Sequence, residues 1–192
     1  MFGIKPLTKA RGRDAKKLAD DIELSDEGRA LIEEAGEPAQ AFPRLVKKKL
    51  FHDAARFLAW ILPPRESVFW AFLCASEWAR ERGNNDDRAR LDRLSGWIER
   101  GDDPTRRELE VQGEPEVFES PVAWASIGAF WSGGSLTPEG EPEILPSQTL
   151  YAHATSGAVM LAAQAKGDRK AVKVLKKYFD LGIKIARGDL TV

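Results

Sequence analysis

A chain of 192 residues that is 43% hydrophobic and 31% charged can bury one full core, and it is too apolar to be an intrinsically disordered segment. Its 29 basic and 30 acidic residues leave a formal net charge of −1, which excludes a global attraction to nucleic acid or to an anionic membrane. The single cysteine, Cys74, cannot form an intrachain disulfide, and a reducing cytoplasm suits it.

The N-terminus, "MFGIKPLTKARGRDAKK", is basic but no apolar run follows it, so it does not read as a cleavable signal peptide. Residues 1–24 are expected to form a partly flexible basic arm, and residues 25–192 a single helical domain. Ser25 is placed to cap "SDEGRALIEEA", where Asp26 and Glu27 complement the positive helix end, and Gly36 should stop that helix. A short helical pair follows in "PAQAFPRLVKKKL" and "FHDAARFLAWIL", with Phe57, Leu58, Trp60 and Ile61 on its apolar face. Pro63 and Pro64 close it, and Pro64 is well placed to open "RESVFWAFLCASEWARER". In "NDDRARLDRLSGWIER", Leu91, Leu94, Trp97 and Ile98 recur at three- and four-residue steps along one stripe. Gly101 and Pro104 punctuate what comes next.

Charge is then segregated. From Glu108 to Ala165 there is no lysine or arginine, while glutamates stand at 108, 110, 114, 116, 119, 139, 141 and 143. Within that interval "PVAWASIGAFW" and "TLYAHATSGAVMLAAQA" are apolar or small almost all round, as expected of helices enclosed by others. Neither approaches the roughly 20 apolar residues of a membrane span. The C-terminal "DRKAVKVLKKYFDLGIKIARG" opens with Asp168 as the expected cap and sets lysines beside an apolar stripe, which makes it a covering helix. With no period-two strand, the fold class read from the sequence is all-α: one compact multi-helix bundle with an acidic, proline-rich loop between two largely buried helices.

Chemistry-bearing motifs are sparse. In "AFWSGGSLTPEGEPEILP" the glycines follow an apolar helical run and have acidic neighbours, the reverse of a phosphate cradle, so Gly133 or Gly134 is expected to end the helix in a left-handed conformation. The candidate partner-binding residues are Trp131, Ser132, Ser135, Glu139, Glu141 and Glu143 of that segment. His52 and His153 lack an i,i+4 His or Cys partner, so no metal site is expected. Asp53 and Arg56 stand three apart and can pair on a helix surface. Ser132 and Ser135 lack a nucleophile elbow, and Cys74 sits mid-helix among bulky apolar residues; no catalytic residue and no cofactor is expected. Lys47, Lys48 and Lys49, beside Leu50 and Phe51, read first as a solvated helix face and second as a contact for an anionic partner.

"LPPRESVFWAFLCA", "SPVAWASIGAFWSGGSLTPEG" and "YFDLGIKIARG", in that order, resemble an uncharacterised bacterial domain family, some members of which occur in type VI secretion gene neighbourhoods. The likeness runs from about Ser25 to Gly188 and is most specific at "AFWSGGSL". It implies a bacterial cytoplasmic accessory role and assigns no catalytic residue. The expected function is therefore a non-enzymatic protein-interaction or adaptor protein with a protein partner. The alternative is an enzyme or toxin effector whose site is assembled from residues distant in sequence.

Overall fold

In the computed structural model, which describes residues 6–12, 14–113, 115–165 and 167–192, no strand occurs among the described residues. The helices are α1 (Ala15–Asp20), α2 (Asp26–Ala35), α3 (Pro38–Lys47), α4 (Phe51–Ile61), α5 (Pro64–Arg82), α6 (Asn85–Arg100), α7 (Asp103–Arg107), α8 (Pro121–Phe130), α9 (Leu150–Gln164) and α10 (Asp168–Arg187). A short 3-10 turn spans Pro115–Glu119. The all-α reading holds.

Local chemistry accounts for many of the boundaries. Ser25 Oγ accepts from Gly28 N, and Gly36, at φ 74°, returns its N–H to Ile32 O, so α2 starts and stops where its caps stand. Pro64 opens α5 in the first turn, where a missing N–H costs nothing. Asn84 and Asp87 form a reciprocal capping box at the start of α6. At α10 the cap position belongs to Gly167, at φ 80°, rather than to Asp168, whose side chain lies outside those described. Asp53 does not pair with Arg56. Its carboxylate accepts from Ser25 N and Ser25 Oγ at 3.0 and 2.6 Å, which fixes the α2 cap to α4, while Arg56 turns to Glu23.

Helices α8 and α9 lie at the centre and pack on each other and on α5, with α4 and α10 against α9 and α6 against α8. Small residues permit the close approach. A Cβ on Gly128 of α8 would stand 2.7 Å from Thr155 Cγ2 of α9. The buried hydroxyls of Ser67 and Thr155 satisfy each other across the α5–α9 contact, sharing a hydrogen bond at 2.8 Å. Trp70 is fully buried and donates from Nε1 to Tyr178 O at 2.7 Å, tying α5 to α10. Trp97 is buried in the same cluster, and Trp78 and Trp124 pack half-buried against it.

The segment expected to be an arm carries a helix of its own. Asp14 caps α1, and Ala15, Leu18, Ala19 and Ile22 are buried in the common core. Ahead of α1 the backbone is strapped down: Lys9 N donates to Ala186 O at 2.9 Å and Arg11 N to Ile61 O at 2.8 Å. Residues 1–5 and Arg13 lie outside the described residues. Alanines and one leucine in a basic stretch give too weak a periodic signal for α1 to be read from sequence.

Candidate functional site

The turn after α8 is built by α7, a helix the sequence reading did not contain. Arg106 is 3% exposed and makes three hydrogen bonds: Nε to Asp103 Oδ1 at 2.7 Å, Nη1 to Phe130 O at 2.6 Å and Nη2 to Ser135 O at 2.9 Å. Arg107 donates to Asp103 Oδ2 at 2.8 Å and to Thr137 O at 2.8 Å. One carboxylate thus orients two guanidiniums, and these satisfy three carbonyls of the 130–137 loop. Those hydrogen bonds hold the Asp103 carboxyl below its usual range, the Arg106 bond contributing most.

This corrects the expected role of the glycine pair. The α8 cap position is Trp131, at φ −86°, and the Phe130 carbonyl is taken by Arg106 rather than by a glycine N–H. Gly134 does adopt a left-handed φ of 64°, and Gly133 does not. A Cβ on Gly134 would stand 2.5 Å from Asp103 Oδ1 and 2.7 Å from Arg106 Nη2. Glycine is required there both by backbone and by the ion pair pressed against it.

The candidate partner-binding residues divide into three sets. Ser132 Oγ donates to Ala129 O, and Ser135 Oγ bonds the Thr137 hydroxyl and accepts from Thr137 N and Ile144 N, so both hydroxyls are engaged inside the turn. Trp131, half-buried, lines a cavity of about 220 Å³ with Arg11 and Tyr151. There Arg11 donates to the Tyr151 hydroxyl at 2.9 Å and lies 4.1 Å from the Trp60 ring centre, and burial pushes the Tyr151 phenol up to about 12. Glu139, Glu141 and Glu143 are exposed on the distal loop, next to exposed Ile144 and Leu145.

The two histidines, a hundred residues apart in sequence, line one cavity of about 520 Å³ with Arg56, Phe118 and Trp124. Burial, and then the nearby Arg56 charge, holds His153 below its ordinary value, which favours a neutral imidazole. Among the described residues no carboxylate lines this cavity, and no three His, Cys, Asp or Glu side chains gather as a metal site. The Cys74 thiol is buried and pushed up by desolvation, as befits an unreactive core cysteine.

A larger concavity, about 730 Å³, lies between α3, the start of α4 and α10. Its floor includes Phe42, Val46, Phe51 and Phe179, with Phe42 edge-on to Phe179 at 5.4 Å. Among the described residues, Lys47, Lys49, Lys176 and Arg187 line it against one acid, Asp180. Lys47, Lys49 and Lys176 have no ion pair among the described residues, and Arg187 Nε is buried without a hydrogen-bond partner among them. The sequence reading singled out the lysine run but not the groove, because α10 supplies the facing wall from more than a hundred residues away.

Lys49 has a further peculiarity. Leu50 N bonds Leu45 O and Lys49 N bonds Val46 O, the paired hydrogen bonds of a Schellman ending for α3. Lys49 occupies its left-handed position at φ 63°, the one non-glycine with positive φ among the described residues. Glycine is the usual occupant of that position, and an L-residue costs about 1–2 kcal/mol more there. The penalty is borne by a side chain that lies exposed on the groove's rim.

Residues 41–186 match a family of unknown function, DUF6931. The chain belongs to that family. The DUF6931 region begins inside α3, later than the expected Ser25, and takes in most of both groove walls as well as the clipped loop; α1, α2 and Arg187 lie outside it. No curated protein and no solved structure matches the chain.

Proposed function

We propose that this DUF6931 protein is a non-enzymatic interaction protein whose α3–α10 groove receives an acidic, apolar segment of a protein partner. The observation that carries the reading is Lys49: a strained lysine kept at the rim of an apolar groove that three further cations also line. Aromatic and aliphatic side chains on the floor supply the area for binding, and the unpaired cations select carboxylates and speed encounter. The test is fluorescence anisotropy with a short labelled peptide alternating Glu and Leu. Saturable, salt-sensitive binding that Lys176→Glu abolishes is expected; equal binding of a Lys-for-Glu control peptide would contradict it.

The sequence likeness to bacterial domains beside type VI secretion genes supports an accessory role in such a system, with the partner a cytoplasmic secretion component. Loss of secretion activity on deletion of the gene, restored by the wild type but not by Lys176→Glu, is the expected result. A second reading, an enzyme or toxin effector, draws on the convergence of His52 and His153 in one cavity. It requires that His153→Ala abolish toxicity in cells that the wild-type protein harms.

A further inference from the structure

We infer that the groove's occupant includes the acidic loop of a second copy of this chain, so that the protein associates through insertion of residues 139–146 into the α3–α10 groove of a neighbour. This rests on the groove reading above. Five large hydrophobic side chains are exposed among the described residues, and three of them lie on these two surfaces: Ile144 at 57% and Leu145 at 62% on the loop, and Val172 at 43% lining the groove. The loop carries Glu139, Glu141 and Glu143 immediately before its two apolar side chains. The groove presents Lys47, Lys49, Lys176 and Arg187 around an apolar floor. Sign and polarity are complementary in both respects.

The loop is also prepared for insertion. Leu136 N donates to Ile144 O at 2.8 Å, Thr137 Oγ1 donates to Pro142 O at 2.8 Å, and Arg107 anchors the Thr137 carbonyl. Pro142 and Pro146 restrict the backbone on either side of Ile144 and Leu145. A projection already fixed at its base loses less conformational entropy on docking than a flexible peptide would. No loop residue lines the groove of its own chain, so the match is met between copies. Such a contact joins two different patches, which makes it head-to-tail unless two copies exchange loops reciprocally.

Sedimentation equilibrium and a mixing experiment test this. The wild type is expected to show concentration-dependent association that high salt weakens. A loop variant, Ile144→Glu with Leu145→Glu, and a groove variant, Val172→Glu with Lys176→Glu, should each be monomeric with unchanged circular dichroism. All four positions are exposed, so folding should survive. Mixed in equal amounts, the two variants should form a heterodimer, because one retains the groove and the other the loop. Wild-type protein that stays monomeric up to its solubility limit, or a mixture that stays monomeric, overturns the inference. In parallel, the wild type is titrated with a labelled peptide of residues 137–147 and with the Glu–Leu peptide. Binding of the Glu–Leu peptide alone overturns self-association and leaves the groove reading standing; binding of neither overturns both.

Discussion

The chain reversals that follow α8 and α3 both place a residue at positive φ. After α8 the residue is Gly134, and an Asp103–Arg106 pair fills the space where a side chain would begin. After α3 it is Lys49, and its side chain lies exposed at the lip of an apolar groove. At the first turn packing dictates the residue: backbone and neighbours demand the same glycine. At the second, packing would accept glycine and the chain carries a lysine instead. A residue that the fold explains says little about function, whereas one that opposes the local backbone preference points to a use for its side chain.

Removing the clip should have the largest effect. Arg106→Ala leaves the Phe130 and Ser135 carbonyls without their donor and should cost about 3–5 kcal/mol, the usual penalty for breaking a buried charged network. A chemical denaturation midpoint close to wild type would remove the basis for calling the first turn packing-determined. Gly134→Val should cost about 1–3 kcal/mol from backbone strain alone, plus the displacement of Asp103, measured by thermal melt. An unchanged melt would mean that the loop accepts a side chain as readily as the Lys49 turn does.

Acid should act on the first turn through Asp103. Its folded-state pKa lies below the usual 3.8, so its contribution is fully present above that value and is lost as pH falls through the lower folded value. Melting temperatures of wild type and Asp103→Asn, separate at neutral pH, are expected to converge below pH 3.8. The smallest effect belongs to the distal loop: Glu139, Glu141 and Glu143 changed together to Gln should alter stability by less than about 0.5 kcal/mol, since all three are exposed. A marked change would place the glutamates in the fold rather than on a contact surface.

What the sequence disclosed follows the range of the interactions. Ser25, Gly36, Pro64 and Gly101 act within a turn or two of themselves, and their positions mark helix ends correctly. The Leu94, Trp97 and Ile98 stripe likewise reports a buried face directly. The clip was illegible because Arg106 reaches carbonyls 24 and 29 residues onward, and its five-residue helix is too short to show a period. The same limit hid the Asp53–Ser25 contact, which bridges 28 residues, and the groove, whose walls come from opposite ends of the family region. Lys49 was visible as part of a basic run. Its left-handed backbone was not, since lysine gives no sign of the turn that glycine would announce.

Lys49→Gly, read simultaneously by thermal melt and by affinity for the Glu–Leu peptide, tests the central claim most directly. Relief of the left-handed strain, less the added freedom of glycine in the unfolded chain, should raise stability by about 0.5–1 kcal/mol, while loss of the rim charge weakens peptide binding and its salt dependence. A variant that is more stable and binds less is the predicted result. A variant that binds the peptide as well as wild type would show that Lys49 is not held at the groove for its charge.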